Sequence, residues 1–231
     1  MKGLIKLLPW MVVLPTFAMG MQDKDVAIDL KNFVALSGGY YNSNYQRTTT
    51  DYQLGLLDGI ATDNHSNDSG YLQLALGRTD HIDGLSFAHQ IVVSKLFHEE
   101  IFTRTTCNWF YRQNVDFGYD WMPSINLFER WGLGSYGILG AHYARFVYEK
   151  IPFVSSSSIS TINTYQDQLG FNLGAGVNYR LNDKFLLGLK YQHLQYASVQ
   201  NSGVAPLGDQ VNLERISPAF NLVGLELRYL Y

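Results

Sequence analysis

GFNLGAGVNYRLNDKFLLGLKYQHL, residues Gly170 to Leu194, decides the architecture together with FNLVGLELRYLY, residues Phe220 to Tyr231. In the first stretch Phe171, Leu173, Ala175, Val177 and Tyr179 share one face. Gln168, Gly170, Asn172, Gly174, Gly176, Asn178 and Arg180 share the other. Successive side chains of a strand point to opposite sides, so a period of two with one apolar face is a strand half-buried in something greasy. Phe185, Leu187, Leu189 and Tyr191 then oppose Gly188, Lys190 and Gln192, and Val223, Leu225, Leu227, Tyr229 and Tyr231 oppose Leu222, Gly224, Glu226 and Arg228. Glycine recurring on the polar face suits the crowded interior of a narrow barrel. Aromatic residues near the ends of the apolar faces suit the two girdles of a bilayer. Parity supplies a check. Both apolar faces flanking Asn182-Asp183-Lys184 fall on odd residues, so the joining turn must have an odd length, and this three-residue turn does.

Working upstream, Trp109, Tyr111, Val115, Phe117, Tyr119 and Trp121 alternate with Asn108, Arg112, Asn114, Asp116, Gly118 and Asp120, with Gln113 breaking the apolar face once. Leu85, Phe87, Ile91 and Val93 alternate with Ser86, Ala88, Gln90 and Ser94, and Leu72, Leu74 and Leu76 with Gln73, Ala75 and Gly77. Residues 34–41 and 133–148 are strand-like and rich in Gly and Tyr, without a readable face. The expectation is an all-β chain with eight antiparallel strands near 33–43, 69–79, 85–97, 106–122, 133–149, 166–181, 185–198 and 215–231. Each is long enough for the ~9–11 residues of a tilted spanning strand. Short links at 80–84 and 182–184 alternate with long polar ones at 44–68, 98–105, 150–165 and 199–214, the asymmetry of an up-and-down transmembrane barrel. A ten-strand count stays open, because 44–68 has room for a hairpin extension.

Composition agrees. Of 231 residues, 16% are charged and 14% aromatic, and the formal net charge is −3, which excludes a nucleic-acid binder and a long disordered chain. Mean hydropathy is −0.09, and beyond the leader no apolar run approaches the ~18 residues of a membrane helix, leaving the closed barrel as the way to cross a bilayer. Residues 1–20 read as a secretory signal peptide, with Lys2 and Lys6 giving a positive start, an apolar run from Leu4 to Leu14 broken only by Lys6 and Pro9, and Ala18-Met19-Gly20 at the cleavage site with Thr16-Phe17-Ala18 as the competing one, so that 21–231 form the barrel domain. Cys107 is the one cysteine, so an intramolecular disulfide and a thiolate metal cluster are both excluded.

These stretches resemble the small eight-stranded outer-membrane proteins of Gram-negative bacteria, the OmpA-type transmembrane barrels and opacity-type surface proteins. The resemblance implies residence in the outer membrane, contact with its lipid, and insertion by the barrel-assembly machinery. It also implies that Val223, Leu225, Leu227, Tyr229 and Tyr231 form the C-terminal assembly signal, with a terminal Tyr where the family more often carries Phe.

Charges on the polar faces, Arg112, Asp116, Asp120, Arg180, Lys190, Glu226 and Arg228, form the expected interior network. Lys190 and Glu226 lie on neighbouring strands, and Arg112 precedes Asp116 by four residues. Such charges either filter ions or plug a lumen only wide enough for side chains. The histidines offer little chemistry. His65 and Ser66 are adjacent loop residues, His98-Glu99-Glu100 lacks a second His at ligand spacing, and His142 and His193 sit on strands. No catalytic, metal or cofactor site is expected. The functional expectation is a non-enzymatic barrel for envelope structure and surface interaction, with 44–68 and 150–165 as candidate loops for a surface ligand. A small porin-like pore and a lipid-modifying enzyme are the alternatives.

Overall fold

A computed structural model describes residues 31–53, 56–82, 85–97, 100–103, 107–128, 132–152, 162–204 and 210–231. The expected leader and the middle of the 150–165 segment lie outside the described residues. Among the described residues all elements are strands: β1 (Lys31–Gln53), β2 (Leu56–Ile82), β3 (Leu85–Leu96), β4 (Glu100–Thr103), β5 (Cys107–Phe128), β6 (Leu133–Pro152), β7 (Ile162–Arg180), β8 (Phe185–Tyr196), β9 (Val199–Val204) and β10 (Gln210–Leu230). Neighbours pair antiparallel, and β1 pairs with both β2 and β10, which closes the sheet. Eight strands make the barrel; β4 and β9 are short additions on β5 and β10.

The closure is staggered. Paired residues run from Phe33 through Gly77, Gln90, Asp120, Gly140, Asn172, Leu194 and Phe220, and return to β1 at Ser43, ten residues beyond the start. Such a stagger requires strands tilted by roughly 35–45° and leaves an interior that side chains can fill.

Outward residues are bare. Leu74, Ile91, Leu139, Leu173, Leu189 and Leu225 are each between 45% and 61% exposed, an apolar belt that water would not tolerate at this extent. At the short-turn end it is edged by aromatic residues, with Phe87 stacked on Trp121 at 5.9 Å and Phe185 against Tyr229 at 5.1 Å. The turn between β7 and β8 is closed by Asn182, whose Oδ1 accepts the N–H groups of Lys184 and Phe185 at 2.9 and 3.0 Å.

Two kinds of expectation need correction, one about loops and one about β5; among the expected links, 98–105 holds β4, and 199–214 holds β9 and the start of β10. Segment 44–68 is not a loop. β1 and β2 continue through it as one paired hairpin, register intact from Asn44↔Ser66 to Asp51↔Gly59. Its Thr-, Asn- and Ser-rich sequence hid the strand because neither face is immersed in lipid, so no hydrophobic alternation marks it. With β9 and the start of β10, this hairpin makes a sheet rising above the barrel; β4, β5, β6 and β7 extend into a second.

The other correction concerns β5. The ladder with β6 shifts between Gln113 and Val115, a β-bulge that adds one residue and reverses which side chains point inward. From Asp116 onward the even residues face the lumen; at Gln113 and Tyr111 the odd ones do. Gln113 was therefore no flaw in an apolar face but the first inward residue beyond the bulge.

Candidate functional site: the charged barrel interior

Inward side chains stack in three layers. Toward the rising sheets lies an aromatic layer of Tyr41, Tyr45, Tyr111, Phe146, Tyr196 and Phe220, all nearly fully buried. Tyr111 stacks on Phe146 at 5.1 Å, while Tyr45 and Tyr196 meet neighbouring rings edge-on at 5.2 to 5.9 Å. Toward the short turns lies a smaller apolar layer with Phe33, Ala88, Met122, Tyr136 and Ile138. Charges are confined mainly to the layer between; Arg47 is a further buried charge, farther out along β1.

One charged group is anionic in excess. His142 on β6 directs Nδ1 to Asp116 Oδ2 at 2.8 Å and Nε2 to Asp120 Oδ1 at 3.0 Å. Both ring nitrogens face carboxylate oxygens, so both donate and the ring is an imidazolium. The carboxylates are completed by Tyr196 Oη donating to Asp116 at 2.9 Å, and by Asn172 and Gln90 donating to Asp120 at 2.8 and 3.1 Å. Glycine makes the room. A Cβ on Gly118 would stand 2.3 Å from the imidazole, and one on Gly140 would stand 2.0 Å from Asp120 Oδ1.

The other group is cationic in excess. Glu226 on β10 accepts from Lys190 Nζ at 3.0 Å through one oxygen and from Arg228 at 2.7 Å through the other. Lys190 also donates to Gln73 Oε1, and Gln73 Nε2 donates to Ser94 at 3.0 Å. The Arg228 guanidinium lies 4.3 Å over the Phe33 ring and 5.9 Å from that of Tyr136. Three positive and three negative side chains thus share this layer, and its charge is balanced only with His142 protonated.

The structure brings Asp116, Asp120, Lys190, Glu226 and Arg228 inside, but Arg112 and Arg180 stand exposed. The bulge turns Arg112 to the outer face, away from Asp116. Arg180 has inward parity but ends β7 at the rim, where water reaches it. His142 was missed as a member. Its strand carries large residues on both faces, Tyr136 and Phe146 inward and Leu139 outward, so alternation did not declare a side. The available signal was Asp116 and Asp120 on one inward face, a pair of carboxylates demanding a cation. Val223, Leu225, Leu227, Tyr229 and Tyr231 all face outward.

Other histidines do different things. His193 Nδ1 lies 2.8 Å from Asn221 Oδ1 on the outer face, and Asn221 also accepts from Tyr191 at 2.8 Å. A base and its orienter are present there, yet the residue two positions along the strand is Gln195, whose amide binds the carbonyls of Pro218 and Tyr196. No group of three or more His, Cys, Asp or Glu suited to a metal occurs among the described residues.

No family model matches the chain, and no curated protein matches its sequence. Among solved structures it is similar to the outer membrane protein OprG from Pseudomonas aeruginosa, at 15% identity and a TM-score of 0.57, covering 86% of this chain and 95% of that one. Its fold is that of the small eight-stranded outer-membrane barrels. Weaker similarity reaches the attachment invasion locus protein Ail of Yersinia pestis, at 13% identity and a TM-score of 0.36, covering 86% and 99%. The outer membrane protease OmpT from Escherichia coli matches at 8% identity and 0.39, covering 90% and 99%.

Proposed function

We propose that this outer-membrane barrel is a sealed, non-enzymatic anchor whose work is surface interaction through the sheets that rise from it. The observation that carries the reading is the filled lumen. An aromatic layer of rings no more than 3% exposed covers a charge-balanced layer whose members bind one another. An eight-stranded barrel offers little more interior than its side chains need, and here they take it. Lys190 and Glu226 hold each other as a plug does, which supports the structural role over an ion filter. The exported part with free surface is the hairpin of β1 and β2, carried by a rigid scaffold as binding segments commonly are.

Lipid contact through the belt, and recognition of the outward C-terminal row by the assembly machinery, belong to the same proposal. The test is adhesion of cells displaying the full chain, compared with a variant whose hairpin is shortened between residues 46 and 64. Adhesion should fall to background while heat-shifted gel mobility still reports a folded barrel. Unchanged adhesion would overturn the reading, as would lipid hydrolysis by the purified chain that a His193 substitution abolishes.

A further inference from the structure

Resting on that reading, we infer that the free edge of β2 between Ile60 and Ser66 is a docking site for an extended, basic peptide segment of another protein, which adds to the rising sheet as a strand.

One hydrogen bond fixes the direction of the β2 edge. The Gly70 carbonyl accepts the Phe97 N–H at 3.1 Å, so the backbone groups of Gly70 face the β3 side rather than β1. A residue of an antiparallel strand points its N–H and C=O to the same side, and alternate residues repeat that direction. Pairing with β1 is regular from Gly59 to Gly70, so residues 60, 62, 64, 66 and 68 face the same way as Gly70. β3 stops at Leu96, opposite Tyr71, and β4 pairs with β5 instead. Among the described residues, therefore, no strand pairs with the outer edge of β2 beyond Gly70. At Asp68 the edge is closed locally, its N–H donating to Asn67 Oδ1 at 2.8 Å. Ile60, Thr62, Asn64 and Ser66 present the open stretch.

Edge strands usually carry guards against pairing: Lys, Pro or a bulge. Leu56–Gly70 contains no Lys, Arg or Pro, and the register shift lies farther out, at the tip. What it does carry is Asp58, Asp63 and Asp68. Main-chain hydrogen bonds supply affinity in strand addition and side chains supply selection. Asp63 lies opposite Arg47 and Asp68 accepts from Asn42 at 2.6 Å, but the hairpin from Asn44 to Gly70 carries four aspartates against one arginine, and that excess of negative charge selects Lys or Arg. The same charges oppose pairing with the β2 edge of a second copy, where aspartate would meet aspartate.

The probe is a short labelled peptide alternating Lys and Thr, titrated against the full chain refolded in lipid nanodiscs, with a peptide alternating Glu and Thr as control. The Lys peptide should bind and the Glu peptide should not. Asn64→Pro and Ser66→Pro each delete one N–H on the free side, a position where an edge strand tolerates proline. Each should weaken binding by about tenfold, with heat-shifted mobility unchanged. Thr62→Lys, which leaves the backbone intact, should weaken it through charge. Equal binding by the proline and lysine variants and the parent, or equal binding of both peptides, would overturn the inference. So would self-association through this edge without peptide binding. Loss of adhesion on shortening the hairpin, but not in the two proline variants, would sink the docking edge and leave the surface-interaction reading standing.

Discussion

The two charged groups of the lumen are inverses of each other. Around His142 one cation lies between two anions; around Glu226 one anion lies between two cations. Each group carries one unit of excess charge, of opposite sign, within the same narrow interior. Burying unpaired charge is costly, whereas paired and hydrogen-bonded charge is tolerated. The lesson is that neither group is neutral alone and each compensates the other. A substitution should therefore be judged by which centre it removes. Taking out a shared central ion leaves two like charges facing each other; taking out a flanking ion leaves a closed pair.

Largest should be the loss of a centre. Glu226→Ala strands Lys190 and Arg228 together, and His142→Ala strands the two aspartates. Either should cost roughly 3–5 kcal/mol in a reversible urea titration in lipid, and equal stability to the parent would break the comparison. Next comes Leu225→Arg, on the lipid side of the strand that carries Glu226. It should cost about 2–4 kcal/mol if lipid surrounds the belt near its midplane, and a negligible change would argue that this face meets water. Gly118→Ala presses a methyl group into the His142 ring, an overpacking worth about 1–3 kcal/mol. A cost for Gly118→Ala that disappears when it is added to His142→Ala would sharpen the assignment. Smallest should be Asp116→Asn, a flanking ion whose amide oxygen can still accept from Tyr196 or His142. A loss near 1–2 kcal/mol fits one weakened charged hydrogen bond, and a loss matching that of His142→Ala would erase the distinction between centre and flank.

How much of this was legible depended on what each strand faces. β7, β8 and the end of β10 separate lipid from lumen cleanly, so their alternation gave faces, parity and the positions of Lys190, Glu226 and Arg228. β5 misled because an inserted residue cannot be seen in a composition pattern. Gln113, the one misfit in its apolar row, is the trace it leaves, and plain alternation puts Arg112 on the wrong side for that reason. β6 withheld His142 because aromatic side chains fill the lumen as well as the girdles, and size replaces polarity as the difference between faces. The hairpin of β1 and β2 was illegible for the opposite reason, since above the bilayer both of its faces can be polar.

A sealed, charge-balanced lumen is tested by single-channel conductance of the refolded chain in a planar bilayer, with folding confirmed by heat-shifted mobility. The folded parent should give no steps, and Phe146→Ala with Tyr196→Ala should give none either, because the charged and apolar layers beneath still fill the lumen. Stable steps from the folded parent that change in size when Lys190 or Glu226 is neutralised would contradict the plug and make the inner charges a filter.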